Sequence, residues 1–290
     1  MKGFSEYNPA VVALVIFSIT GVAMFTDYPV FSALTLTGGM LYYTIRIGRD
    51  SIKGHPRFLA LFLILALANP LISHNGRTVL FVLNDNPVTL EALLYGVNSA
   101  ASMVGALYWL LCFTQMMTSD KLLYITGRLS PKLSLVLSMA LRSVPLYQAQ
   151  AKKIRDAQKA MGLFKDDNII DDILGNMRIF SALATWALEN GIITADSMAA
   201  KGYGICRRTQ FSAFRFGTAD VILLIADIVL LTASAFAAYS VTFVFYPDIT
   251  AGTPDIAGVC GLTAYGILVL LPSVIETEAS LRWNYLQSKI

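Results

Sequence analysis

Charged residues are scarce in this chain, and so are the residues that build most metal centres. Asp, Glu, Lys and Arg together make up 14% of the 290 residues, and the chain has two histidines and three cysteines. A soluble domain usually carries about 25% charged residues. With only His55 and His74 available, a protein-bound zinc site would be hard to build. Three widely separated cysteines imply no disulfide framework.

Sequence motifs that carry common chemistry are also missing. The chain contains no G-x-x-x-x-G-K-[ST] loop, so we expect no segment that cradles the phosphates of ATP. It contains neither an H-E-x-x-H zinc signature nor a G-x-S-x-G nucleophile elbow. We therefore expect a protein that is not an enzyme and has no cofactor and no resident metal. The net charge of +3 gives no sign of nucleic-acid binding.

Apolar residues, in contrast, are abundant and are concentrated in long blocks. They make up 56% of the chain, and the mean hydropathy is +0.60. A helix needs about 20 apolar residues to cross the hydrocarbon core of a bilayer. Six blocks approach this length, the third being the shortest: residues 9–26, 29–45, 58–72, 92–117, 221–245 and 256–275. The sequence thus predicts an all-α, polytopic membrane protein of about six spans.

A long polar segment separates the fourth predicted span from the fifth. We expect residues 1–117 to form a membrane domain of four spans and residues 118–218 to form a cytoplasmic helical module. Residues 219–290 would form a second membrane domain of two spans with a cytoplasmic tail. An apolar patch at residues 133–146 lies inside the module, but Arg142 and Pro145 interrupt it. We interpret it as a helix that packs against protein or the membrane interface.

The positions of Lys and Arg predict the orientation. Short loops rich in these residues stay in the cytoplasm. In a six-span arrangement, 21 of the 22 Lys and Arg residues fall on one side of the membrane, and Arg77 falls on the other. We therefore expect both termini and the central module to be cytoplasmic.

Two pieces of the central module resemble each other. Residues 155–162 read RDAQKAMG and residues 195–202 read ADSMAAKG. Both are typical of a helix C-terminus, with small residues at the tip and then a glycine where a left-handed cap is needed. An ordinary helix end explains either piece alone, and the helix dipole favours a Lys there. The recurrence favours a pair of accessible helix tips that a partner approaches closely.

These tips resemble the paired Ala-Arg-Gly coupling motifs of the transmembrane T component of energy-coupling factor (ECF) transporters for vitamins and metals. Residues 69–96 resemble the loop before that family's fourth span, and SMALRSVPL resembles the start of its long coupling helix. The segments RRTQF and LRWNYLQSKI also fit. The resemblance extends over nearly the whole chain and implies a location in a prokaryotic cell membrane.

The resemblance also implies partners and a mechanism. Two crossing coupling helices would insert their tips into grooves on two ABC-type ATPase subunits, which hydrolyse the ATP. The same helices would carry a small, membrane-embedded, substrate-binding S component. Closure of the ATPase pair would move the helices and tilt the S component, which would deliver a vitamin or metal micronutrient inward.

Site residues follow from the resemblance. Docking to the ATPases is assigned to Ala160, Met161, Gly162, Ala200, Lys201 and Gly202. Supporting roles in the coupling helices are assigned to Arg142, Pro145, Asp156 and Asp196. Met161 and Lys201 occupy positions where the family usually has Arg. Arg makes a planar, bidentate contact, whereas Lys offers a point charge and Met offers no charge.

Two other functions stay open. A self-contained secondary transporter would show inverted repeats and helices broken at the midplane. Gly38, Gly39 and Pro70 interrupt predicted spans, although no repeat is evident. An intramembrane enzyme would need paired catalytic groups, whereas Asp227 is the one acid deep in a predicted span. We interpret Asp227 as hydrogen-bonded within the helix bundle.

Overall fold

The computed structural model describes residues 3–48, 51–72, 76–83, 86–163, 169–205, 214, 216–252 and 255–287. His74, Cys206 and the RRTQF segment at 207–211 lie outside these ranges. The chain divides into two compact units: Met1–Thr118 together with Phe214–Ile290, and Ser119–Ala213. We describe each unit by itself.

Within the described ranges the chain is nearly all helical. The helices, in chain order, are α1 (Pro9–Phe25), α2 (Pro29–Ile47), α3 (Ser51–Ile72), α4 (Leu90–Met116), α5 (Ser119–Leu129), α6 (Pro131–Ala160), α7 (Ile169–Ala200), α8 (Thr218–Ser240) and α9 (Ile256–Gln287). A 3-10 turn at Phe4–Glu6 precedes α1. Two antiparallel hairpins complete the described elements: β1 (Val79–Leu83) with β2 (Asn86–Thr89), and β3 (Phe243–Val244) with β4 (Thr250–Ala251).

Four of the described helices of the first unit are long and apolar enough to cross a membrane: α3, α4, α8 and α9. Helix α1 is apolar but has 17 residues. Helix α2 has 19 residues, including threonines, tyrosines and Arg46, and is less hydrophobic than α1. The predicted all-α membrane class is confirmed, while the count of six spans stays a prediction.

Some predicted span ends differ from the helix ends. Helix α3 begins at Ser51 rather than at residue 58, because a helix continues through polar residues that a search for apolar blocks leaves out. Helix α8 ends at Ser240, and the β-branched and aromatic residues that follow it form strand β3 instead. Helix α9 continues through much of the predicted tail, as far as Gln287.

Small residues allow the helices of the first unit to pack closely. A Cβ on Gly38 would lie 2.0 Å from a methyl group of Val269 in α9, and one on Gly39 would lie 3.0 Å from Tyr108 in α4. Helix α2 runs without a break through both glycines, and α3 likewise runs through Pro70. These residues therefore do not break their helices. A midplane site in a secondary transporter would require such broken helices.

Aromatic side chains fill the centre of this packing. Tyr42 and Trp109 are fully buried and stack with ring centroids 5.5 Å apart. The indole Nε1 of Trp109 donates to the Thr35 carbonyl oxygen at 3.2 Å. The hydroxyls of Thr35 and Tyr265 lie 2.6 Å apart, and Tyr265 also donates to the Ile19 carbonyl. The core thus joins α1, α2, α4 and α9 through buried groups that are both packed and hydrogen-bonded.

The N-terminal segment is fastened to the bundle by two carboxylates. Glu276 of α9 accepts from the Phe4 backbone N–H at 2.9 Å and from the Arg46 guanidinium at 2.6 Å. Asp220, in the first turn of α8, accepts from the backbone N–H groups of Asn8 and Gly217, each at 2.8 Å. These bonds tie the start of the chain to α2, α8 and α9.

Asp227 hydrogen-bonds inside the bundle. The Ser18 hydroxyl on α1 contacts its Oδ1 at 2.8 Å, and the Asp227 side chain is buried. Its Oδ2 has no hydrogen-bond partner among the described residues. The expectation that Asp227 bonds within the bundle is confirmed for one of its two oxygens.

The second unit contains α5, α6 and α7. Helix α6 contacts both of the others. The rings of Tyr147 on α6 and Trp186 on α7 lie nearly perpendicular to each other, with centroids 5.8 Å apart. Arg142 and Pro145 lie within the continuous helix α6, so the apolar patch at 133–146 belongs to one 30-residue helix. Apolar side chains remain exposed along both long helices, including Val136 on α6 and Leu188 on α7.

Candidate docking site at two helix tips

The end of α6 is closed by a left-handed glycine. Gly162 has φ +69°, and its N–H donates to the Lys159 carbonyl at 3.0 Å. The next N–H, that of Leu163, reaches back to the Gln158 carbonyl at 3.1 Å. These two bonds make a Schellman cap, which satisfies carbonyls that would otherwise lack a partner at the helix end.

The end of α7 has the same cap. Gly202 has φ +79°, its N–H donates to the Ala199 carbonyl at 3.0 Å, and Tyr203 N–H donates to the Met198 carbonyl at 3.0 Å. Each bond joins the same positions as at the end of α6. The predicted left-handed glycine is therefore confirmed at both tips, and the two backbones match bond for bond.

The side chains at both tips face open space. Met161 is 65% exposed, and Lys201 is exposed as well. A Cβ on Gly162 would meet no described residue within 4 Å, so its positive φ, rather than crowding, is what favours glycine there. Both tips are narrow, because Ala160 and Ala200 precede these residues, and the cap hydrogen bonds satisfy backbone carbonyls at both helix ends. These features suit insertion into a groove.

The chain beyond each glycine differs. After the first tip, the Arg178 guanidinium of α7 donates to the Leu163 carbonyl at 3.4 Å. After the second tip, Gly204 also has a positive φ, and Ile205 N–H donates to the Gly202 carbonyl at 3.2 Å. The first tip is thus braced by α7, whereas the second continues into a further tight turn.

The four residues given supporting roles are exposed but are not gathered at one place. Asp156 and Asp196 lie close to their respective tips on the last turns of α6 and α7. Arg142 and Pro145 lie about 27 Å and 22 Å from Ala160 along the helix, given a rise of 1.5 Å per residue. If Arg142 and Pro145 contribute to coupling, they therefore do so from within α6 and not by contact at its tip.

Sequence reasoning missed the contacts that hold α6 against α7. Besides the Tyr147–Trp186 contact, the Arg155 guanidinium donates to the Asn176 side-chain oxygen at 2.9 Å. An amphipathic pattern shows which face of a helix is apolar, but it does not show which residue on another helix that face meets. Tyr147 and Trp186 are large aromatic residues in a segment with many polar residues. This was the one feature of the sequence that could have indicated a contact between the two helices.

Other sites for chemistry are few in the described part of the chain. No three His, Cys, Asp or Glu residues there are placed to hold a metal ion. An open, mainly apolar groove of about 550 Å³ lies between α1 and α8, where Phe17, Ser18, Gly21 and Leu231 contribute to its lining. The two capped tips remain the best-defined candidate site.

A family comparison agrees with this picture. The model of the family CbiQ, described as cobalt transport protein, matches residues 5–212. That stretch is more than half of the 290 residues and includes both tips. The chain belongs to the CbiQ family. No curated protein matches it significantly.

Membership in the CbiQ family decides several of the sequence-based expectations. The family is that of ECF transporter T components, so the predicted resemblance is confirmed. The family and the apolar helices together make the chain a membrane component related to transport, rather than an enzyme. The matched stretch begins at the N-terminal turn and ends shortly after the second tip, so the family pattern includes the whole of the described second unit.

Proposed function

We propose that this chain is the transmembrane coupling (T) subunit of an ECF-type ABC importer. It transmits ATP-driven motion from two ATPase subunits to a membrane-embedded S component, for uptake of a vitamin or metal micronutrient. The observation that carries the proposal is the pair of matching caps at Gly162 and Gly202. The family description names cobalt, which falls within the proposed range of cargo.

The tips have the properties that docking requires. A helix end inserts into a groove when it is narrow and when its own backbone groups are already satisfied. Both caps satisfy the last carbonyls, and alanines keep the backbone accessible. Because the conformation is fixed before binding, little entropy is lost on docking.

The two long helices are long enough to transmit a movement over several tens of ångströms. Helices α6 and α7 contain 30 and 32 residues, which correspond to about 45 and 48 Å of helix. They contact each other at Tyr147 and Trp186 and again at Arg155 and Asn176. A displacement of one tip is therefore passed to the other helix through packed side chains. The exposed apolar side chains along them offer a surface for the S component.

Charge reversal at the second tip tests the proposal. The ammonium group of Lys201 is expected to meet an acidic group in the ATPase groove, so Lys201→Glu places like charges together. An uncompensated buried charge costs several kcal/mol, so ATPase co-purification should fall at least about tenfold. The readout is the amount of P-loop ATPase retained by the tagged full chain, normalised to its level in membranes.

Lys132→Glu is the matched control. Lys132 is also exposed and lies in the first turn of α6, at the opposite end from its tip. This variant should retain the ATPases, because the same charge change is made away from a tip. If Lys201→Glu retains them as well as Lys132→Glu does, the second tip is an ordinary helix end and the docking assignment is wrong.

A further inference from the structure

The hairpin that joins α3 to α4 carries apolar side chains where a hairpin in water would carry polar ones. Strand β1 reads VLFVL and contains no charged or hydrogen-bonding side chain. Val79, Leu80 and Val82 are each more than half exposed. An antiparallel strand with one face in water normally alternates apolar with polar residues. Since β1 does not alternate, its exposed side chains favour an apolar environment.

The position of the hairpin is fixed by the helices on either side of it. Helix α3 ends at Ile72, and α4 begins at Leu90, directly after β2. Both helices are long and apolar enough to cross a membrane, and β2 packs against both. The hydroxyl and the backbone N–H of Thr78 donate to the Glu91 carboxylate at 2.7 Å and 3.2 Å, which fastens the base of the hairpin to the first turn of α4. The hairpin therefore lies at the membrane surface, where the two helices end.

Aromatic side chains mark the membrane surface at the same end of the bundle. Tyr95, in the second turn of α4, contacts Phe245 and Tyr246 with ring centroids 5.3 Å and 5.6 Å apart. Tyr28, which precedes α2, contacts Phe243. Tyrosine is enriched where a membrane protein passes from lipid to water. This aromatic cluster lies close to the start of α4, so it places the lipid–water boundary next to the hairpin.

Polar groups limit how deeply the hairpin can enter the bilayer. Arg77, directly before Thr78, pairs with Asp248 at 2.8 Å, and both side chains are at least half exposed. Residues 84–86, where the chain passes from β1 to β2, read NDN. One edge of β1 pairs with β2, and the other edge pairs with no described strand. Unpaired backbone groups are not tolerated in the hydrocarbon core, so the hairpin lies flat at the boundary rather than inserting with its turn first.

We propose that the β1–β2 hairpin is a membrane anchor, whose apolar side chains lie at the boundary between the lipid headgroups and the acyl chains. These side chains continue the exposed apolar surface at the end of α3, where Leu71 and Ile72 are 56% and 80% exposed. A strand added from another protein would pair the backbone edge of β1 but would leave the side chains on the sheet faces uncovered. A lipid surface covers them. In the predicted orientation the hairpin lies in the outer leaflet, and its anchoring does not depend on the coupling role.

Fluorescence quenching at defined depths tests this proposal on the purified chain in phosphatidylcholine vesicles. In a background without Cys112, Cys206 and Cys260, the fluorophore bimane is attached to Val82→Cys. The control is bimane on Thr250→Cys, an exposed polar position in the other hairpin. Lipids that carry a spin label near the headgroup or near the chain end quench from within the bilayer. Iodide, added on both sides of the membrane, quenches from water.

The expected result is several-fold stronger quenching at Val82→Cys than at Thr250→Cys by the headgroup-proximal label, and several-fold weaker quenching by iodide. Equal iodide quenching at the two positions would place the hairpin in water and overturn the proposal. Protection from both kinds of quencher would show that protein covers β1, as when two copies pair, and would overturn it as well. Stronger quenching by the label near the chain end would contradict the proposed depth.

A second substitution tests whether the apolar side chains hold the hairpin in lipid. Leu80→Asp, combined with Val82→Cys, places a carboxylate among them, and a carboxylate favours water. Quenching by the headgroup-proximal label should fall several-fold and quenching by iodide should rise. Leu80→Met is the matched control, because it keeps the position apolar, and it should leave both signals unchanged. If Leu80→Asp gives the same signals as Leu80→Met, the side chains of β1 do not anchor the hairpin.

Discussion

At the scale of single residues, the two cap glycines each hold a backbone conformation that favours glycine. The left-handed region costs a residue with a Cβ roughly 1–2 kcal/mol, and Gly162 and Gly202 both lie in it. None of the residues that the structure describes crowds Gly162, so a substitution there acts mainly on the backbone preference. The direction in which the chain leaves each helix therefore depends on one glycine.

Gly202→Val should weaken ATPase association without affecting membrane insertion. A β-branched residue disfavours the left-handed cap, and the chain after Lys201 would then leave the helix in another direction. Gly191→Ala is the matched control, because Gly191 lies within α7 with open space around it and Ala is the better helix former. Co-purification should fall for Gly202→Val alone. Equal retention by the two variants would show that the cap does not orient a docking surface.

Asp227 is the second residue whose role can be tested singly. Ser18 donates to one of its oxygens, and an Asn at the same position would still accept that bond. If the role of Asp227 is structural, Asp227→Asn should keep the complex assembled and substrate uptake near its normal rate. Ser18→Ala should destabilise the bundle by about 1–3 kcal/mol, because a buried acceptor loses its donor. Loss of uptake by an intact Asp227→Asn complex would instead indicate proton transfer.

At the scale of elements, the sequence specifies helices better than it specifies their ends or their contacts. The apolar blocks predicted six helices of the first unit, because membrane-spanning length leaves few alternatives. The end of α8 differs from the prediction because residues 241–245 are mostly apolar but lie outside the helix, where Phe243–Val244 form strand β3. The helix tips were predictable because a glycine cap is a local signal. The contact between the rings of Tyr147 and Trp186 was not predictable, since it depends on the angle at which α6 and α7 pack, and no local sequence pattern encodes that angle.

The ion pair between α2 and α9 should stabilise the first unit measurably. The side chains of Arg46 and Glu276 are 25% and 16% exposed, and Glu276 also accepts a hydrogen bond from the Phe4 backbone N–H. Arg46→Ala leaves this carboxylate partly buried with one fewer donor, so we expect a loss of about 1–3 kcal/mol in unfolding free energy. Arg282→Ala is the control, because the Arg282–Glu278 pair is about half exposed, and such pairs contribute roughly 0–1 kcal/mol. Thermal unfolding in detergent should separate the two variants, and equal melting temperatures would refute the structural role of the α2–α9 pair.

At the scale of the whole molecule, the proposed function depends on the side of the membrane that the second unit occupies. The tips reach ATPases only if Ser119–Ala213 is cytoplasmic. The distribution of Lys and Arg predicts this orientation, and it also predicts that the loop containing β4 is outside. One residue exposed on each of these segments is enough to test both predictions together.

Cysteine labelling in intact cells provides this test. In a background without Cys112, Cys206 and Cys260, Ser181→Cys should resist a membrane-impermeant thiol reagent and should react once the cells are permeabilised. Ser181 on α7 is exposed, so the reagent can reach a cysteine there once the cells are permeabilised. Thr250→Cys on β4, also exposed, should react in intact cells and serves as the matched positive control. If Ser181→Cys reacts from outside as readily as Thr250→Cys, the tips face away from the cytoplasmic ATP supply, and the coupling function is untenable.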